Sequence, residues 1–233
     1  MSGIVFIISA PSGSGKTSLT NELLKYVPDL EFSVSYTTRK PRGSEQTGRE
    51  YFFVSRDQFE KMIANNEFLE YADVFGNYYG TAKKFLEDAK KRGKDLVLDI
   101  DVQGAKQVKE RLKDSKSIFI LPPSRDELER RLRARSTAEQ MTDSAVINRR
   151  LAEAGREIEN YPGYDYILVN DDFNQSVDKL KAIVQAERAL QRNPGESSAD
   201  SLVRATANEC RRANVQERAQ QILASFGLSA VPN

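Results

Sequence analysis

Histidine is absent from all 233 residues, which removes Ser-His-Asp and Cys-His catalysis, histidine metal sites and histidine pH switches. The single cysteine, Cys210, permits neither an internal disulfide nor a thiolate zinc cage, a pattern suited to a reduced compartment. Long apolar runs are missing too. The longest, residues 4–8, falls far short of the roughly 20 residues that cross a bilayer. The opening Met-Ser-Gly, that run and then Pro-Ser-Gly lack the basic start and long apolar stretch of a signal peptide. Excess charge of either sign is lacking as well: 35 basic and 34 acidic residues leave +1, so no general field draws the chain to nucleic acid or a membrane. These absences point to a cytoplasmic protein with neither nucleic acid nor membrane as a partner.

What is present is globular in composition, 39% hydrophobic and 30% charged. At roughly 150 residues per domain, the length suggests one large domain or a core with insertions. Apolar runs alternate with helix-period segments, the pattern of an α/β fold with a largely parallel sheet. Residues 3–9 (GIVFIIS), 96–101 (LVLDID), 117–121 (SIFIL) and 166–169 (YILV) read as core strands. Helices are expected after them at 17–26, 103–113, 124–135 and 175–191, the third opened by a Ser124/Glu127 capping box. Residues 33–92 differ: short alternating strands, a Gly76-Asn77 hairpin turn and a helix capped by Ser55 with Gln58 suggest an inserted mixed-sheet lobe. Residues 125–156 are helical and arginine-rich, broken by a polar stretch at 136–142, and read as a flap. Residues 193–200 (NPGESSAD) read as a linker.

The first strand leads into Ala10-Pro11-Ser12-Gly13-Ser14-Gly15-Lys16-Thr17, with Ser18 next in the helix. A glycine-rich turn between strand and helix aims backbone N–H groups at a phosphate, and the helix N-terminus adds positive potential. Lys16 then reaches the β and γ phosphates, and Thr17 can ligate Mg²⁺. Ala10 stands where the strict pattern has glycine, which is tolerable if φ there is negative. Farther on, Arg39 and Arg42 flank Pro41, with Tyr51 nine residues after Arg42. Forked arginine donors and a neutral hydroxyl suit a second phosphate.

Five ordered motifs carry a family resemblance. They are the phosphate loop, Ser35-Tyr-Thr-Thr-Arg-Lys-Pro-Arg42 with Glu45, Gly48 and Tyr51, Phe75-Gly-Asn-Tyr-Tyr-Gly-Thr81, Leu98-Asp-Ile-Asp-Val-Gln-Gly104, and Val169-Asn-Asp-Asp172. Over about residues 3–188 the chain resembles guanylate kinase, a nucleoside monophosphate kinase. The resemblance implies transfer of the ATP γ-phosphoryl group to GMP, and to dGMP, with Mg²⁺. It implies a P-loop core (1–32, 93–124 and 157–192), a GMP-binding lobe (33–92) and a helical lid (125–156).

The resemblance also assigns residues. Glu70 takes the guanine N1–H and amino donors, Ser35 and Thr81 face the base, and Asp101 helps at the amino group. Arg39, Arg42, Tyr51 and Tyr79 hold the GMP phosphate. Tyr78 and Tyr79 would point to opposite faces of a strand, so only one can do so. Asp99 and Asp101, read as two apart on one strand face, orient Mg²⁺ waters or contact the acceptor. Arg135 and Arg150 go to the transferring phosphoryl group, and Arg131 and Asn170 to the adenine side. Lys16, Arg42, Arg135 and Arg150 form the catalytic set.

Two rival readings remain: a guanylate-kinase-like module that binds partners without catalysis, and a kinase for another monophosphate such as AMP or dTMP. The resemblance leaves residues 193–233 unexplained. Leu202, Val203, Cys210, Ala213, Ala219, Ile222, Leu223 and Phe226 form an apolar stripe with Gly227 as its stop. With a flexible-looking linker before it, this helical extension is expected to favour another subunit, as in a homo-oligomer, or a partner over its own core.

Overall fold

The computed structural model describes residues 3–74, 76–138, 144–192 and 200–228. Phe75 of the third motif, most of the polar stretch expected at 136–142 and nearly all of the expected linker lie outside them. Five strands, β1 (Val5–Ser9), β2 (Leu30–Phe32), β7 (Asp95–Asp99), β8 (Lys116–Leu121) and β9 (Tyr166–Val169), form one sheet in the order β2-β7-β1-β8-β9. The pairs β2–β7 and β8–β9 are parallel. All five residues of β1 are buried, which is why that strand reads as an unbroken apolar run rather than an alternating one. The second sheet has the order β4-β3-β6-β5 and joins β3 (Tyr36–Thr37), β4 (Phe52–Phe53), β5 (Phe68–Val74) and β6 (Asn77–Ala82). It is mixed, with β3–β4 parallel and β3–β6 and β5–β6 antiparallel.

The chain divides into two compact units, residues 1–7 with 29–116, and residues 8–28 with 117–233. The first contains the mixed sheet with α2 (Arg56–Ala64), α3 (Lys83–Lys91) and α4 (Val102–Arg111). Helix α2 opens on a reciprocal capping box, Ser55 Oγ accepting from Gln58 N at 3.2 Å and Gln58 Oε1 from Ser55 N at 3.0 Å. Gly76, at φ 77°, closes the β5–β6 hairpin, its N–H held by Asp73 Oδ1 at 2.7 Å. One sheet face is aromatic, with Phe59 of α2 stacked on Phe68 at 4.3 Å and on Tyr78 at 5.2 Å between ring centroids.

The second unit contains α1 (Lys16–Tyr26), α5 (Arg125–Ala138), α6 (Ser144–Ile158), α7 (Phe173–Arg192), α8 (Ser201–Glu209) and α9 (Arg212–Ser225). Helix α1 packs against α7. The capping box expected at Ser124 and Glu127 is half made. Ser124 Oγ accepts from Glu127 N at 3.2 Å, while the Glu127 carboxylate accepts from Arg130 and Arg131 instead.

The extension is where the structure departs most from the sequence reading. Helix α8, capped by Asp200 Oδ1 on Leu202 N at 2.9 Å, packs against α7. Cys210, Ala219, Ile222 and Leu223 are buried, and Phe226 packs on a cluster of Leu128, Leu132, Ile147, Leu151 and Ala154 from α5 and α6. The apolar stripe expected to seek a second subunit is thus largely covered by its own chain, with Leu202 left 71% exposed. Gly227, at φ 73°, supplies the left-handed residue after α9.

Candidate active site

The turn from β1 into α1 is built on two glycines, Gly13 at φ 93° and Gly15 at φ 92°. Those angles favour glycine, and space requires it as well. A Cβ on Gly15 would stand 2.4 Å from Asn170 Nδ2, and one on Gly13 would meet Leu132 and Leu128 at 2.9 and 3.0 Å. Ala10 is not among the positive-φ positions, so its Cβ costs nothing there. Pro11 and Ser14 are buried, Ser14 N donating to Pro11 O at 3.1 Å, while Ser12 is exposed. Lys16 opens α1, with Thr17 and Ser18 exposed behind it. The N-cap is Gly15, which has no side chain to satisfy the first-turn N–H groups, and no acidic residue occupies that turn. A helix start left so is a ready anion site.

Asn170 lies at the end of β9, 4% exposed, and its Nδ2 donates to Ser14 O at 2.8 Å. Its amide braces the phosphate loop, a role beyond the adenine contact that the resemblance implies. Arg131, also placed near adenine, donates through Nη2 to Asn170 O at 2.9 Å and through Nε to Glu127 at 2.7 Å. Paired first with Arg130 and then with Arg131, the Glu127 carboxyl is held down at about 2. Arg135 is exposed on α5. Arg150 on α6 is half-buried, and its Nη1 is buried with no hydrogen-bond partner among the described residues. A charged donor left unpaired out of water is expensive, and an anionic ligand would repay it.

In the first unit the mixed sheet assembles the second constellation. Register places Glu70 of β5 opposite Thr81 of β6, and Tyr79, two residues before Thr81, opposite Thr37 of β3. Period-two alternation therefore puts Glu70, Thr81 and Tyr79 on one face. Tyr78 points the other way, where Arg56 donates to its hydroxyl at 2.8 Å and lies over its ring at 4.5 Å. The sequence reading allowed only one of the two tyrosines a phosphate role, and the geometry leaves Tyr79 available for it. Tyr79 accepts from Arg39 Nε at 3.2 Å, and Arg39 lies over Tyr51, whose ring meets Tyr79 edge-on at 5.7 Å. Arg42 is exposed, Ser35 buried.

Glu70 and Thr81 are buried. Burial pushes the Glu70 carboxyl up to about 7, with the Asp101 charge adding to the rise while Thr81 and Arg111 pull against it. Asp99 ends β7, but Asp101 is not on that strand, as the sequence reading had it. It caps α4, Oδ1 accepting from Gly104 N at 2.8 Å. The apolar run stops at Ile100, and an aspartate there serves a helix start better than a strand end.

Two residues quoted for their spacing alone turn out to shape this face. Glu45 accepts from Arg39 Nη1 and Nη2 at 2.9 and 3.0 Å and from Arg42 N at 2.7 Å, so it aims the arginine pair. Gly104 gives room to Glu70, since a Cβ there would stand 2.5 Å from Glu70 Oε2 and 3.1 Å from its carboxyl carbon. A glycine inside an expected helix was the available signal for the second.

Comparison with known proteins bears on both halves. The guanylate kinase family model matches residues 3–187, stopping short of the extension. The guanylate kinase of Koribacter versatilis is 58% identical over 226 residues, 97% of each chain. That of Escherichia coli K12 is 50% identical over 188 residues, 80% of this chain and 89% of the relative. In three dimensions, guanylate kinase from Anaplasma phagocytophilum superimposes with a TM-score of 0.66 at 37% identity, covering 80% of this chain and 86% of the other. With the glycine-shaped phosphate loop, the arginine–tyrosine cluster and the buried carboxylate all inside the matched span, the chain belongs to the guanylate kinase family.

Proposed function

We propose that this chain moves the ATP γ-phosphoryl group to GMP, and to dGMP, through the residues assembled above. Family membership carries the activity itself, ATP:GMP phosphotransfer giving ADP and GDP. The observation that carries the residue assignment is the buried Glu70 carboxyl beside Thr81. As an anion it accepts from the guanine N1–H and amino group, while the Ser35 and Thr81 hydroxyls donate to O6. Adenine presents the opposite edge, so the same pocket discriminates against AMP. Arg39, Arg42, Tyr51 and Tyr79 bind the GMP phosphate, with Asp99 and Asp101 near the acceptor.

On the ATP side, the first-turn N–H groups of α1 and Lys16 take the β and γ phosphates, and Arg135 and Arg150 stabilise the transferring group. Phosphoryl transfer needs alignment and positive charge more than covalent chemistry. The acceptor is a monoester with a second pKa near 6, so its oxygen is already deprotonated at neutral pH and no general base is required. That is how a chain with no histidine can perform the reaction. Mg²⁺ fits the residues present. No cluster of three acidic or cysteine side chains among the described residues would cage it, and the exposed Thr17 hydroxyl suits an ion held mainly by phosphates and water. Thr17 would hold it, and the ion would neutralise phosphate charge.

Neither rival reading draws support from the site. A binding module has no use for Lys16, Arg135 and Arg150 together; adenine offers the buried Glu70 an acceptor at N1, and thymine offers one donor where guanine offers two. Among the described residues no helix is long and apolar enough to cross a membrane. A cytoplasmic setting suits the ATP chemistry and the lone Cys210. A coupled ADP-release assay with GMP, dGMP, AMP, CMP and dTMP tests the reading: GMP and dGMP should be turned over and the others barely, and preference for AMP would overturn the pocket assignment.

A further inference from the structure

Residues 200–228 make two separate sets of contacts within the second unit, and each leads to the phosphate loop. The first runs through β9. Cys210 O accepts from Ile167 N at 2.7 Å and Arg212 N donates to Asp165 O at 3.2 Å, so the turn between α8 and α9 adds an antiparallel bridge to that strand. The Arg211 guanidinium lies over the Tyr166 ring at 4.2 Å and donates to Glu187 Oε1 at 2.9 Å. Glu187, 3% exposed, also accepts from the Tyr166 hydroxyl. Immediately after β9 comes Asn170, whose amide holds Ser14 and whose Nδ2 closes the space beside Gly15.

The second set runs through α5. Ser225 Oγ accepts from Arg125 N at 3.1 Å and so satisfies an N–H at the start of that helix. Phe226 packs on the cluster containing Leu128 and Leu132. Those two leucines are the side chains that close on Gly13. The phosphate loop is therefore wedged by an amide on one side and two leucines on the other, and the extension fixes the element that carries each wedge.

We propose that the C-terminal extension is a positioning element for the ATP-phosphate loop, acting through Asn170 at the end of β9 and through Leu128 and Leu132 on α5. This rests on the reading of residues 10–18 as the ATP-phosphate cradle. The backbone N–H groups of such a loop work only at the right spacing, and small misplacements from a distance are costly. Removing the grip of Phe226 or Arg211 lets the wedges shift, and the loss falls on ATP affinity rather than on GMP affinity.

The test is calorimetric titration of the full chain with the non-hydrolysable ATP analogue AMP-PNP plus Mg²⁺, and separately with GMP. Phe226→Ala should weaken the ATP analogue about ten-fold and GMP by less than two-fold, while Phe226→Leu, which keeps an apolar contact, restores near-parental binding. Arg211→Met removes a charged donor from the buried Glu187 carboxylate and is at risk of misfolding, so Arg211→Met with Glu187→Gln replaces it; circular dichroism checks the fold, and the same split is expected. Unchanged affinity for the analogue in folded variants, or equal loss for both ligands, overturns the proposal. Lys16→Ala separates this from failure of the cradle reading. If that variant binds the analogue normally, the cradle itself is wrong; if it loses binding while Phe226→Ala does not, only the role of the extension falls.

Discussion

Replacing Gly104 by alanine tests the acceptor pocket without touching a group that meets substrate. The added Cβ would stand 2.5 Å from Glu70 Oε2, 3.1 Å from its carboxyl carbon and 3.3 Å from Asp101 Oδ1. The carboxylate must move by about 1 Å to restore ordinary contact, a shift that matters for a positioned group. Glu70 is 3% exposed, so it cannot simply swing into solvent. A charge-assisted pair is worth roughly 1.5–3 kcal/mol, and losing it lowers kcat/KM for GMP about 10- to 150-fold. Helix propensity runs the other way, alanine exceeding glycine by about 1 kcal/mol, so thermal stability should change little while activity falls. Steady-state kinetics with GMP and AMP, beside a melting curve, reads both. The loss should fall on GMP, narrowing its lead over AMP, and Glu70→Asp in the Gly104→Ala background, with its carboxyl one methylene shorter, should recover part of it. A Gly104→Ala enzyme within two-fold of the parent on GMP would refute the idea that Glu70 reads the base from this position.

Lys16→Ala should lower kcat about 10²- to 10³-fold with an intact fold, the usual scale for losing a preorganised electrostatic contact; near-parental turnover would refute its role. Glu45→Gln removes the negative charge and one of the two acceptor oxygens that hold Arg39 and should raise KM for GMP about five- to ten-fold, on the scale of a lost charged hydrogen bond, with little effect on KM for ATP. A fall in KM for GMP would mean that Glu45 competes with the phosphate instead of aiming its ligand. With the Glu70 carboxyl near 7, guanine must bind the anion, so KM for GMP should rise as pH falls through 7 and level off above about 8. Glu70→Gln should abolish that step and leave only the substrate phosphate's own near 6. The folded state holds this proton longer than the unfolded chain, whose value is 4.5. Stability therefore declines from pH 4.5 toward 7, and Glu70→Gln should flatten the decline in denaturant titrations.

Much of this was legible locally. Buried strands showed as unbroken apolar runs, the Ser55–Gln58 box and the Gly76 turn as short signatures, and the Tyr78/Tyr79 choice as simple alternation. Legibility ended where one residue could serve two neighbours. Asp101 continues an apolar run in the sequence, yet its carboxylate is worth more at a helix start. Glu127 fits a capping box and also sits three and four residues from Arg130 and Arg131, and the guanidinium pairs won. Asn170 showed only as part of a motif, because its partner Ser14 lies 156 positions away. The stripe on the extension announced that something must cover it, but periodicity names a face and not its cover.

The buried Glu187 has a consequence for how the chain is made. Arg211, which donates to it, is synthesised well after the phosphate loop. At about 5–20 residues per second, the roughly 200 residues between Ser14 and Arg211 take about 10–40 s to synthesise. Through that interval residues 8–28 lack part of their compact unit, which is completed by residues 117–233. Residues 1–7 and 29–116, which make up the other unit, are all synthesised before residue 117. The residues of the mixed-sheet unit are therefore all made before Arg211 can reach Glu187, and the unit that contains the phosphate loop is the later one to be completed.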